Sequence, residues 1–151
     1  NYRVVGVHVE AEALGQALLT PALKQSGVII VDIGKARTSI VIYVQQLVYF
    51  TTSYPTVLNN ASVALDHLTS ALQQTVLYYH EHCGTQANLS MIVLCGSGAS
   101  QTDLSNQLQQ QLHVPTVLGQ PLARIRPNQR SLALEQPLAF TTALGLALPT
   151  A

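Results

Sequence analysis

Three strand-like runs follow one another from Val28 with only short links between them, and that succession limits the fold more than any other feature of the chain. Val28-Ile29-Ile30-Val31-Asp32-Ile33-Gly34 is β-branched almost throughout and stops at a glycine. Its length and composition predict a buried strand. Thr38 to Val44 predicts a second strand and Leu47 to Ser53 a third. Gln45-Gln46 is read as the tight turn between them, although it lacks the favoured Gly or Asn. Links this short imply antiparallel neighbours, so the three strands form a meander. Pro55 closes it.

The pattern then changes period. A long helix is expected from Ala61 to His82, with Val63, Ala64, Leu68, Ala71, Leu72, Val76 and Tyr79 on one buried face. Gly84 is its expected C-terminal cap. Leu89 to Cys95 predicts a fourth strand that stops at Gly96-Ser97-Gly98-Ala99. Thr102 or Ser100 is placed to cap a helix through Leu104, Leu108 and Leu112. Val114 to Leu118 predicts a short fifth strand with Pro115 at its start. A polar loop, Gly119 to Gln136, leads to Pro137, which suits the first turn of a last helix over Leu138 to Leu148. Upstream, Val9 to Leu19 is rich in Ala and Leu and predicts a helix. The fold class is therefore α/β, a mixed five-stranded sheet in the order β-β-β-α-β-α-β-α flanked by helices. Residues 1–24 are read as a lead-in helix segment from a preceding domain, and 25–151 as the α/β domain itself.

Composition narrows the function classes. The 151 residues suit one domain, with 48% hydrophobic and only 9% charged residues. Disorder needs low hydrophobicity together with high charge, so it is excluded. A net charge of +0 gives no basic excess for nucleic acid or for an anionic membrane. Cys83 and Cys95 do not make a disulfide framework. Cys95 ends an apolar run and is expected as a buried free thiol, which suits a reducing cytoplasm. No apolar run reaches the roughly 18 residues that a bilayer span needs. The chain opens on Asn1 rather than Met, as expected of a processed product or a piece of a longer protein.

Two loops carry the chemistry. Asp32-Ile33-Gly34 offers a carboxylate at a strand end, followed by a glycine where a backbone can approach a ligand. Lys35 and Arg37 are placed to meet phosphate or to stay solvated. Gly96-Ser97-Gly98-Ala99 follows the fourth strand and opens a helix, where free amides suit an anion. Other groupings are weaker. His80 and His82 lie two apart on a helix and point to different sides, so they do not share a metal readily. Ser97 has no acid and base partner for nucleophilic work. Arg124, Arg126 and Arg130 lie in the long loop and read as solvated charges or as a grip on a partner's anions.

These loops in this element order resemble the ribonuclease-H-like fold of the actin-like ATPases. Asp32-Ile33-Gly34, with Thr38-Ser39 beyond it, resembles the family's second phosphate loop, and Leu94 to Ala99 is similar to its adenosine loop. Within that superfamily, four motifs fall in the order and rough spacing of the PilM family of pilus assembly proteins. They are Asp32-Ile33-Gly34, Leu77-Tyr78-Tyr79, Gly96-Ser97-Gly98-Ala99 and Ala143-Leu144-Gly145-Leu146-Ala147-Leu148. The helix from Val9 resembles the one preceding that family's second domain.

The resemblance implies an actin-like scaffold of a type IV pilus or related secretion machine, cytoplasmic and peripheral to the inner membrane. It implies ATP with magnesium as the cofactor. Asp32 would serve the metal, and Asp32, Gly34, Lys35, Thr38, Gly96, Ser97, Gly98 and Ala99 the nucleotide. The implied partners are the tail of a PilN-like membrane protein and an N-terminal half of the same protein, with a homo-oligomer left open. The family's first domain and inserted subdomain have no counterpart here. Only Tyr54 to Asn60 separates the third strand from the long helix, so no catalytic residue is assigned and complete ATP hydrolysis is not expected. Two other readings share the fold. A nuclease of the resolvase type needs several converging carboxylates, with only Asp66 and Asp103 beyond Asp32. Half of a sugar or acetate kinase would place its base in the other domain.

Overall fold

The computed structural model describes residues 6–21, 23, 26–45, 47–56, 61–82, 88–101, 103–123, 125 and 135–148. The meander forms as expected. Strand β1 (Gly27–Ile33) pairs antiparallel with β2 (Arg37–Val44), which pairs antiparallel with β3 (Leu47–Pro55). Strand β4 (Leu89–Cys95) joins the other side of β1 in parallel, and β5 (Thr116–Leu118) lies parallel beyond it. The five-stranded sheet has the order β3-β2-β1-β4-β5.

Burial explains the composition of the strands. β1 is buried along its length except at Asp32, which is half-buried, and β2 is buried from Thr38 onward. Strands covered on both faces have no polar side to alternate with, hence the continuous β-branched runs. One face is covered by α1 (Glu10–Leu18) and α4 (Thr141–Ala147), the other by α2 (Ala61–His82) and α3 (Leu104–Leu112).

Helix α1 is bound into this core. The Gly15 N–H donates to the Tyr43 hydroxyl of β2 at 3.0 Å. Burial pushes that hydroxyl above the usual phenol range. Gly145 of α4 rides against the carbonyl of Ala13 in α1, with no room for a side chain between the two backbones.

Helix α2 has the expected bounds, but Val63 is 41% exposed. It lies off the stripe that buries Leu72, Thr75 and Tyr79. Thr75 is the polar member of that stripe. Its hydroxyl donates to the Ala71 carbonyl at 2.7 Å and lies 3.2 Å from the Tyr54 hydroxyl. Of the two expected caps on α3, Thr102 lies outside the described residues and Ser100 is not the residue that precedes the helix. The residue before the helix is Asp103, in a left-handed conformation (φ 66°) with no side-chain cap bond. Its carboxylate instead accepts from Asn106 at 2.6 Å.

Strand β5 starts after Pro115, whose carbonyl accepts from the Ile92 N–H at 2.8 Å. The last helix begins as a 3-10 turn, Pro137–Phe140, before α4. Gln45 supplies the β2–β3 turn with φ 49°. Gln46, Cys83, Gly84 and Thr102 lie outside the described residues.

Gly145→Ala separates two opposed effects. Helix propensity favours Ala by about 1 kcal/mol. The new methyl meets the Ala13 carbonyl, which is backbone and cannot rotate away. Overpacking of this kind costs about 1–3 kcal/mol. A net loss in a urea melt is expected; a gain would mean that α1 and α4 slide apart freely.

Candidate functional site

Adjacent parallel strands leave the sheet on the same side, and here that brings the two loops together. Val31 pairs with Leu94 and Asp32 with Cys95, so β1 and β4 end level with each other. Gly34 closes the β1–β2 hairpin, its N–H donating to the Arg37 carbonyl at 3.0 Å. Gly96 takes φ +87°, and a Cβ there would strike Asp32 Oδ1 and the backbone of Ile33. The Gly98 N–H donates to the Ile33 carbonyl at 2.8 Å, and the Gly96 N–H to Leu138 at 3.0 Å. The Ala99 N–H donates to the Gly96 carbonyl at 3.2 Å. The glycines are therefore set by the close approach of one loop to the other, and three loop amides are held by protein carbonyls. Ser97 is the exposed residue of this turn.

A small pocket of about 170 Å³ opens beside Asp32. Glu10, Lys35, Arg37 and Ser39 line it, with Gly34 and Ala36 of the hairpin. Burial holds the Asp32 carboxyl above its ordinary pKa, the charge of Glu10 raises it further, and Arg37 pulls the other way. Arg37 is engaged with Glu10, Nη2 to Oε2 at 2.9 Å. Cys95 is buried, and burial followed by the Asp32 charge pushes its thiol well up, against a hydrogen bond from Thr141. A thiol held neutral in this way is not a nucleophile.

Asp32, Gly34 and Lys35 thus meet in one pocket, with the Gly96 loop against it. Thr38 does not join them. Its hydroxyl lies 2.9 Å from that of Thr56, on the other face of the sheet. There it lines a larger groove of about 260 Å³ with Ile33, Tyr54, Leu65, Leu68 and Leu104. That groove is mostly apolar and has no carboxylate to serve a metal. Ser39, the cross-strand partner of Asp32, occupies the place beside the carboxylate. Glu10 is a residue that the sequence does not single out for this site; nothing in its local pattern says that α1 lies over the end of β1.

The donors fit a hydrated magnesium ion. Two carboxylates and a hydroxyl are hard oxygen groups, and a cation beside Asp32 would offset both the burial that raises its pKa and the Glu10 charge that adds to it. Among the described residues no group of three or more His, Cys, Asp or Glu side chains is placed to hold a metal ion. His82 instead stacks on Tyr78, ring centroids 4.1 Å apart, with Nδ1 3.0 Å from the Tyr78 carbonyl. Asp66 and Asp103 are exposed and do not line the pocket. Arg124, Arg126 and Arg130 lie outside the described residues.

No family model and no curated protein matches the chain. Solved structures do. A PilM–PilN type IV pilus biogenesis complex superposes with a TM-score of 0.75 at 18% identity, over 95% of this chain and 52% of the other. MreB5 of Spiroplasma citri bound to ADP gives 0.62 at 12% identity, over 93% and 58%. The ethanolamine utilization protein EutJ from Carboxydothermus hydrogenoformans gives 0.57 at 16% identity, over 91% and 52%. The chain has an actin-like ATPase fold. It spans about half the length of these relatives, 52% of the PilM–PilN and EutJ chains. In the actin-like fold so placed, Asp32 and Gly96 stand at the carboxyl ends of adjacent parallel strands, where open α/β sheets take ligands.

Two substitutions probe the junction. Gly96→Ala combines a strained φ with a methyl against Asp32 and Ile33, and is expected to cost about 2 kcal/mol or more in a denaturant melt. Asp32→Asn acts with the opposite sign. Asp32 has a folded pKa above its unfolded value, so the stability it contributes is full below about 3.8 and is lost as pH rises through the folded value. At neutral pH the ionised carboxylate opposes folding. Asp32→Asn should melt higher than the native chain there, with the gain fading in acid. A lower melting temperature at neutral pH would contradict the burial argument.

Proposed function

We propose that this chain is the nucleotide-facing part of an actin-like assembly protein, a scaffold at the base of a type IV pilus or related secretion machine. The observation that carries the reading is the junction of Asp32 with Gly96 at the ends of β1 and β4, in a chain of this fold. Bound ATP with magnesium would supply a charged ligand that stabilises one conformation of the scaffold rather than supplying turnover. Asp32 would hold the water shell of the metal, with Ser39 beside it. Lys35, on the exposed tip of the hairpin, would neutralise phosphate oxygens. Gly34 keeps the hairpin backbone tight enough for the phosphates to approach. Ser97, with the Gly96 to Ala99 turn, would face the nucleoside.

The docking role is supported by the similarity to the PilM–PilN complex. The proposed partners are the tail of a PilN-like inner-membrane protein and an N-terminal half completing the cleft. Among the described residues no helix is long and apolar enough to cross a membrane. The proposed location is the cytoplasmic side of the inner membrane, reached through the partner.

Isothermal calorimetry with magnesium and ATP tests the half-site. Weak binding is expected, lowered roughly tenfold or more by Asp32→Ala or by leaving out magnesium. Binding that ignores both changes, or none at all, would overturn the half-site. Failure of the chain, joined to its proposed N-terminal half, to co-purify with a PilN-like tail would overturn the docking role.

A further inference from the structure

Among the described residues, strand β3 is an edge of the sheet, with β2 as its one neighbour. The Thr56 N–H donates to the Ala36 carbonyl at 3.1 Å, so Thr56 faces β2. In an antiparallel ladder the residues alternate, which turns Pro55, Ser53 and Thr51 outward. The outer edge therefore presents the N–H and C=O of Thr51 and Ser53, and at Pro55 a carbonyl alone. A row of unpaired backbone groups is a template for one kind of occupant, another extended strand.

Exposed edges are commonly protected by charge, by shortness or by proline in mid-strand. Leu47–Pro55 has nine residues, none of them charged, and its proline is the last of them. We propose that β3 docks on the β3 of a second copy of this chain, antiparallel about a two-fold axis through Thr52. The strand is complementary to itself in that register. Thr51 meets Ser53 of the other copy twice over, so four backbone hydrogen bonds form between outward groups. On the α2 side, Phe50 comes opposite Tyr54 and Thr52 opposite Thr52. Aromatic pairs and Thr pairs are stabilising cross-strand neighbours. Tyr78 of α2 already packs on Phe50, ring centroids 5.1 Å apart, and is 47% exposed beside that edge. Pro55 limits the pairing to its outer end. A two-fold contact closes on itself and yields a dimer with a ten-stranded sheet rather than a fibre. A net charge of +0 removes long-range repulsion between the copies. This pairing is independent of nucleotide.

Sedimentation velocity over a dilution series, with hydrogen exchange at both ends of it, tests the proposal. The native chain should pass from monomer to dimer as concentration rises, with the Thr51 and Ser53 amides protected only in the dimer. Ser53→Lys puts charge on an exposed edge position. Thr51→Pro removes an outward N–H and leaves the β2 ladder intact. Each variant should keep the native circular dichroism spectrum and raise the dissociation constant roughly tenfold or more. A chain that stays monomeric throughout would overturn the proposal. So would a dimer that leaves both amides unprotected, or one that neither variant weakens.

Discussion

Asp32 and Cys95 sit side by side in the parallel β1–β4 ladder, and the two loops leaving them must share one small space. Most of the local chemistry follows from that. Gly96 has to be glycine, because the loop turns with a positive φ directly over the Asp32 carboxylate. Gly98 has to be small, because its backbone closes on Ile33. The loop amides are partly taken up in holding the loop in place, Gly98 on Ile33 and Gly96 on Leu138, rather than left to face an anion. The cluster can then support a ligand by shape and by Asp32, more than by a ring of open N–H groups.

This arrangement stabilises the fold through packing and opposes it through charge. A half-buried carboxylate next to Glu10 is worse off folded than unfolded at neutral pH. Nothing in the core requires an acid there, since its neighbours in β1 are Val31 and Ile33. A residue that weighs against folding, at the mouth of a pocket with a lysine beside it, is a candidate for a role in binding rather than in the fold. The Arg37–Glu10 pair works in the opposite direction. Arg37 lowers the Asp32 pKa from one side while holding Glu10 from the other, so it offsets part of that cost.

The elements were legible in the sequence where one physical signal dominated. The stripe of α2, the β-branched run of β1 and the apolar run of β4 fix type and extent, and the short links fix the meander. The faces of the hairpin were not legible. Thr38 to Val44 is covered on both sides, so its sequence has no polar alternation from which to read a face. Whether Thr38 or Ser39 stands beside Asp32 depends on the register set by the Gly34–Arg37 turn, and a one-residue change would swap them. Glu10 was hidden for a different reason. Its place at the pocket comes from α1 docking on α4 and β2, contacts far apart in the chain. The helix through Leu104, Leu108 and Leu112 was legible, but the residue before it, Asp103, was not singled out, and its carboxylate accepts from Asn106 instead of capping a backbone N–H.

The pocket and the β3 edge are close in the chain yet geometrically separate. Arg37 pairs with Pro55, so the hairpin that carries Lys35 abuts the end of β3. An added strand extends the sheet in its own plane, whereas the pocket opens on the face that α1 covers. Pro55 sharpens the separation, because its missing N–H stops the ladder before it reaches the hairpin tip. Occupying the edge therefore leaves Asp32 and Lys35 open. A ligand at the pocket presses on the hairpin without touching Thr51 or Ser53. With so few charged side chains, the field between the two places is weak. Any coupling between them has to travel through the β2 ladder, which is packed on both faces and has one register to offer.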